Sequence, residues 1–185
     1  MQSLMRIFIV VMAILLLLLG IGFMLPGAWK VERSVVIRAP ADSIFPHLNS
    51  FKQWREWVVW YRPQPALQIE FSGPDSGVGA TSRWRALEGR AIMKIMQSER
   101  EKLVVYAVLY NAGEFRSDGT LTLVSEPGGT RVVWRVTGDT GAGPVNSYIA
   151  LLRGQRISND IDDSLELLKQ KLETKSRDVP AISTH

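Results

Sequence analysis

Residues Thr130–Glu173 read TRVVWRVTGDTGAGPVNSYIALLRGQRISNDIDDSLELLKQKLE, and a change of apolar period inside this stretch decides the fold. Up to Gly138 the period is two. Val132, Trp134 and Val136 fall on one side of an extended chain, and Arg131, Arg135 and Thr137 fall on the other with Val133. That is a strand with one dry and one wet face. From Ser147 to Glu173 the period is helical, because Ile157, Ile161, Leu165, Leu168 and Leu172 step onto one side, opposite Arg156, Asn159, Asp162, Asp163, Glu166 and Lys169. Gly138–Asn146 (GDTGAGPVN) links the two. An amphipathic helix needs a partner, and the dry face of a sheet is the large one on offer.

Upstream, period two recurs at Leu67–Ser72, Ala80–Glu88, Ala91–Glu99, Leu103–Tyr110 and Phe115–Ser125. Links as short as Glu126-Pro127-Gly128-Gly129 favour antiparallel hairpins over parallel crossovers. Val31–Arg38 (VERSVVIR) is a first strand stopped at Ala39-Pro40. Asp42–Asn49 is helical in pattern but carries Pro46, which keeps it short or bent. A second short helix over Phe51–Trp57 ends before Pro63 and Pro65. The class is α+β, with an antiparallel sheet of about seven strands and a long C-terminal helix.

Ile7–Leu25 (IFIVVMAILLLLLGIGFML) carries no charge, and at about 1.5 Å per residue it spans roughly 28 Å, enough to cross a bilayer core. It exceeds the apolar core of a secretory signal, and Pro26-Gly27-Ala28 is a poor cleavage site. The expectation is a single-pass anchor in the cell membrane. Arg6 precedes it, whereas Lys30, Arg33 and Arg38 follow, so the charges leave the side of the soluble domain open. The chain thus divides into a tail (1–6), a transmembrane helix (7–25), a linker (26–30), one domain (31–173) and a polar, disordered tail (174–185).

Composition removes other classes. With 46% hydrophobic and 22% charged residues, the 185-residue chain is not disordered, collagen-like or coiled coil. A net charge of +4 from 22 basic and 18 acidic residues is too mild and dispersed to imply a nucleic-acid partner. The absence of cysteine excludes disulfides and thiolate chemistry. His47 and His185 alone argue against a metal site. The Gly73–Gly79 loop (GPDSGVG) is not followed by Gly-Lys-Ser/Thr or by a helix, so it is no phosphate cradle, and no cofactor is expected.

The order of elements resembles the START-like (SRPBCC) superfamily, in particular its polyketide cyclase/dehydrase and lipid-transport branch. The resemblance rests on Val31-Glu32-Arg33-Ser34 through Ile37-Arg38-Ala39-Pro40, then Trp54 and Trp57, Gly77-Val78-Gly79-Ala80 with Trp84, Gly129-Thr130-Arg131-Val132 with Trp134, and Leu165-x-x-Leu168-Lys169. It spans nearly all of the soluble part, each motif being weak and their collinear order carrying the inference. It implies a helix-grip fold, a curved sheet grasping the long helix around an apolar cavity. Pro46 departs from the family's usual first helix.

The resemblance leaves the chemistry open, since one such cavity serves binders, carriers and cyclases. His47 follows Ser43 by one helical turn, a spacing that fits an ordinary helix-surface residue better than a general base. Glu88, at a strand end beside Gly89, is the carboxylate best placed to face the cavity, although a solvated turn is the blander reading. Trp84 and Trp134 alternate with arginines and are expected on the cavity side, with Trp57 nearby as part of an aromatic rim or of the packing. Counting back from Ile157 by a turn at a time gives Gly154 and Ala150, small residues that either leave room for a ligand or permit close packing. The expected partner is a lipid or other hydrophobic small molecule. An enzyme of the cyclase or dehydratase kind is the alternative, because no convergent set of titratable groups is visible.

Overall fold

The computed structural model describes residues 2–62, 67–86, 89–113, 115–141 and 143–177. In chain order they form α1 (Gln2–Met24), β1 (Ala28–Ile37), α2 (Ala41–Leu48), α3 (Phe51–Trp54), β2 (Gln68–Ser72), β3 (Thr81–Ala86), β4 (Gly89–Glu99), β5 (Leu103–Tyr110), β6 (Phe115–Glu126), β7 (Gly129–Asp139) and α4 (Pro144–Arg177). The strands make one antiparallel sheet in the order β1-β7-β6-β5-β4-β3-β2. Consecutive strands from β2 to β7 are joined by short links, whereas β1 crosses over, pairing with β7 from Ala28↔Asp139 to Ile37↔Thr130. The ladder slips between Ile95 and Gln97 on β4, a bulge that bends the sheet. The α+β helix-grip architecture is the one expected.

Alternation sorts the sheet's two faces. On β7, Val132, Trp134 and Val136 are buried; on β5, Val104, Tyr106 and Val108 are. Facing them, Ile161, Leu165, Leu168 and Leu172 of α4 are buried as well. Each such side chain contributes about 1.5 to 3 kcal/mol on burial. Polar contacts set the helix along β1: the Arg33 guanidinium donates to Asp162 at 2.9 Å and to Ser158, and the backbone N–H of Arg38 donates to Glu173 at 3.0 Å.

Several boundaries move. β1 begins at Ala28, because Trp29 and Lys30 continue the ladder opposite Gly138 and Thr137, so most of the stretch assigned to a linker is strand. The helix expected over Phe51–Trp57 is one turn, after which Trp57 and Val58 both bond the Trp54 carbonyl and turn the chain away. α4 starts at Pro144, where a missing N–H costs nothing, and runs past Glu173 to Arg177. The rest of the expected disordered tail, 178–185, lies outside the described residues.

α1 is long and apolar enough to cross a membrane and is almost wholly exposed. Its last turns meet the start of α4: the Tyr148 hydroxyl donates to the Leu18 carbonyl at 2.7 Å, the Ser147 hydroxyl to that of Leu25 at 2.8 Å, and Gly22 lies against Pro144.

Candidate functional site

Between the concave face of the sheet and the middle of α4 lies a cavity of about 280 Å³. Strand alternation supplies its walls: Met93 from β4, Tyr106, Val108 and Tyr110 from β5, Ser117 from β6, Val136 from β7 and Trp84 from β3, with Trp60 at the back. α4 closes it with Arg153, Arg156, Ile157 and Asp160. The Arg153 guanidinium lies 5.2 Å from the Phe115 ring centre and 6.0 Å from that of Tyr110, within cation–π range of both. Tyr110 meets Trp84 edge to face at 6.2 Å. The result is a largely apolar chamber with the Arg153 cation stacked on its aromatic wall.

Burial moves three of its titratable groups, Tyr106, Tyr110 and Asp160, in the same direction, upward. Burial pushes the phenols of Tyr106 and Tyr110 above their ordinary range, so both remain neutral donors at physiological pH. Partial burial also raises the Asp160 carboxyl; nearby Arg156 opposes this and Asp163 adds to it.

The residues singled out from sequence are distributed over distinct places. Trp84 and Ile157 line the cavity. Trp134 is completely buried behind it, within 5.4 to 5.5 Å of the rings of Trp54, Trp57 and Trp60, and Trp57 belongs to the same cluster. Ala150 and Gly154 face a second recess of about 350 Å³ between α4 and β1, walled by Trp29, Val31 and Ser147. His47, on α2, borders a third recess with Asp42, Lys52 and Asp75; its backbone carbonyl accepts the Trp57 indole N–H at 3.3 Å. Glu88 lies outside the described residues.

Arg153, Tyr110 and Asp160 were not singled out from sequence, although signals existed. Counting back from Ile157 by four instead of three reaches Arg153, and Tyr110 continues the alternation of Val104, Tyr106 and Val108. Among the described residues no cluster of His, Asp and Glu is arranged to hold a metal.

The model of the family described as "Polyketide cyclase / dehydrase and lipid transport" matches residues 28–173. The chain belongs to this family. Its match starts at the first residue of β1 and stops within α4, so α1 is an addition to the family domain. Among solved structures, a Staphylococcus aureus protein of unknown function aligns with a TM-score of 0.62 at 9% identity, covering 81% of this chain and 96% of that one. A Thermus thermophilus protein gives 0.57 at 17% identity over 80% and 99%. DynU16, from the dynemicin biosynthetic locus, gives 0.54 at 16% identity over 79% of this chain and 48% of its own. At these identities the likeness establishes the fold alone. No curated protein matches the sequence.

Proposed function

We propose that the protein is a membrane-anchored binder of a lipid or other hydrophobic small molecule, held between the sheet and α4. The observation that carries this reading is the chamber itself: aromatic and aliphatic walls from Trp84, Met93, Val108, Val136 and Ile157, with the Arg153 cation seated over the rings of Tyr110 and Phe115. Apolar walls with few, well-placed polar groups are what an amphiphile needs. The family's lipid-transport description points the same way. Trp134 and Trp57 support the back wall, and Ala150 and Gly154 provide a second contact face in the recess against β1. The length and apolar composition of α1 support the anchor.

Native mass spectrometry of the full chain, extracted in a mild detergent, tests the binding. A retained apolar molecule that is lost in Ile157→Trp, a variant that fills the chamber while the domain stays folded, is the expected result. Equal retention by both forms would place the ligand elsewhere.

A cyclase or dehydratase reading gains one observation, a carboxyl in the cavity wall, Asp160, whose pKa partial burial raises, the type of group that general acid–base chemistry uses. If Asp160→Asn bound the same molecule as the parent but abolished its conversion, that reading would replace simple binding.

A further inference from the structure

Along the outward side of α4, chemistry changes abruptly. Val145, Ile149 and Leu152 recur at helical spacing and are 63%, 41% and 71% exposed. One turn on, the same stripe becomes Arg156, Asn159, Asp163 and Glu166, all exposed. Neither sheet nor α1 covers the apolar part, since the sheet holds the Ala150, Ile157 and Ile161 side and α1 holds Pro144 and Tyr148. An exposed apolar stripe that turns polar partway along one helix matches a surface lying at a boundary between hydrocarbon and water.

What lies next to the stripe identifies that boundary. The Leu18 carbonyl that Tyr148 reaches is inside the apolar run of α1, about 9 Å before Met24 at 1.5 Å per residue. Pro144 stands level with Gly22. If α1 spans a bilayer, the first turns of α4 are therefore carried into the same leaflet. The ladder rows extend this to the cavity. Ala28, directly after α1, pairs with Asp139, Asp139 with Arg116, and Arg116 with Leu109, so Tyr110 and Phe115 lie at the end of the sheet from which α1 departs. Tyr110, one of the cavity's walls, is thus at this end. Arg153 and Arg156 sit just past the apolar stripe, at the level of lipid phosphates.

We propose that this end of the domain docks on the bilayer: Val145, Ile149 and Leu152 embed in the headgroup–acyl boundary of the leaflet that α1 leaves, which brings the end of the cavity lined by Arg153 and Tyr110 against that leaflet. The occupant is the lipid surface, and the cavity draws its amphiphile from it directly. The inference rests on α1 being a membrane anchor.

The chain lacks cysteine, so single cysteines report cleanly. Full-length Val145→Cys, Leu152→Cys, Asp163→Cys and Ile14→Cys variants, each carrying an environment-sensitive fluorophore, are reconstituted into phosphatidylcholine–phosphatidylglycerol vesicles with nitroxide-bearing lipids of graded depth. The expected result is deep quenching at position 14, shallow quenching at 145 and, more weakly, at 152, and none at 163. Deep quenching at 14 with positions 145 and 152 in water overturns the docking surface and leaves the anchor standing. A position 14 that no lipid quencher reaches removes the anchor, and the docking inference falls with it.

Discussion

The indole N–H of Trp134 donates to the phenol oxygen of Tyr106 over 2.8 Å, with both rings inside the core and two strands apart. Tyr106→Phe keeps the ring but leaves that N–H without an acceptor in a dry place, at a cost of about 1 to 3 kcal/mol. Urea unfolding of the domain checks this. An unchanged midpoint would mean that the bond contributes nothing net.

Between the two rings, on the intervening strand, Gly119 faces Tyr106, and a Cβ placed on it would lie 2.0 Å from the tyrosine Cζ. The glycine is what lets the phenol lean across β6 towards Trp134. Gly119→Ala is expected to displace the ring, break the bond and cost about 1 to 3 kcal/mol by overpacking. A shifted tryptophan emission in the folded variant identifies the cause; unaltered emission and stability would contradict it.

Gly154 behaves differently. A Cβ there meets only the Trp29 Cβ, at an ordinary 3.7 Å. Gly154→Ala is therefore expected to stabilise the domain by about 0.5 to 1 kcal/mol through helix propensity. A loss of stability in thermal unfolding would show that the backbone here needs the freedom of glycine.

Asp160 gives a pH dependence whose sign follows from burial. Its carboxyl is raised in the folded protein, so the folded state holds the proton at a pH where the unfolded chain has released it. Its contribution thus becomes unfavourable as pH rises from the ordinary aspartate value through the folded one, and stays so above. Asp160→Asn removes the effect, and its stability relative to the parent should be higher at about pH 7 than at about pH 3. A difference independent of pH would refute the assignment.

Strand placement was legible in the sequence because alternation is a local property: Leu103–Tyr110 is β5 residue for residue, and the Arg83-Trp84-Arg85 pattern puts the tryptophan inward and both arginines in water. The site was less so, because it depends on how α4 is rotated over the sheet. Trp29, by joining β1, sits beneath Gly154 and gives that side of the helix to the recess against β1. The adjoining side, with Arg153 and Ile157, then faces the main chamber. No period within α4 encodes that rotation, since it is set by a side chain more than a hundred residues earlier in the chain.

The crossover of β1 has a consequence for synthesis. This strand leaves the ribosome directly behind α1, yet among the described residues its only ladder partner is β7, the last strand to be made. Until β7 begins to emerge at Thr130, the backbone groups of Ala28–Ile37 have no neighbour within the sheet, and the long loop between the two strands must close before they gain one. Translation halted before β7 leaves a nascent product with an open edge beside an apolar helix, prone to pair with other chains. The domain is sealed by its final strand and helix together.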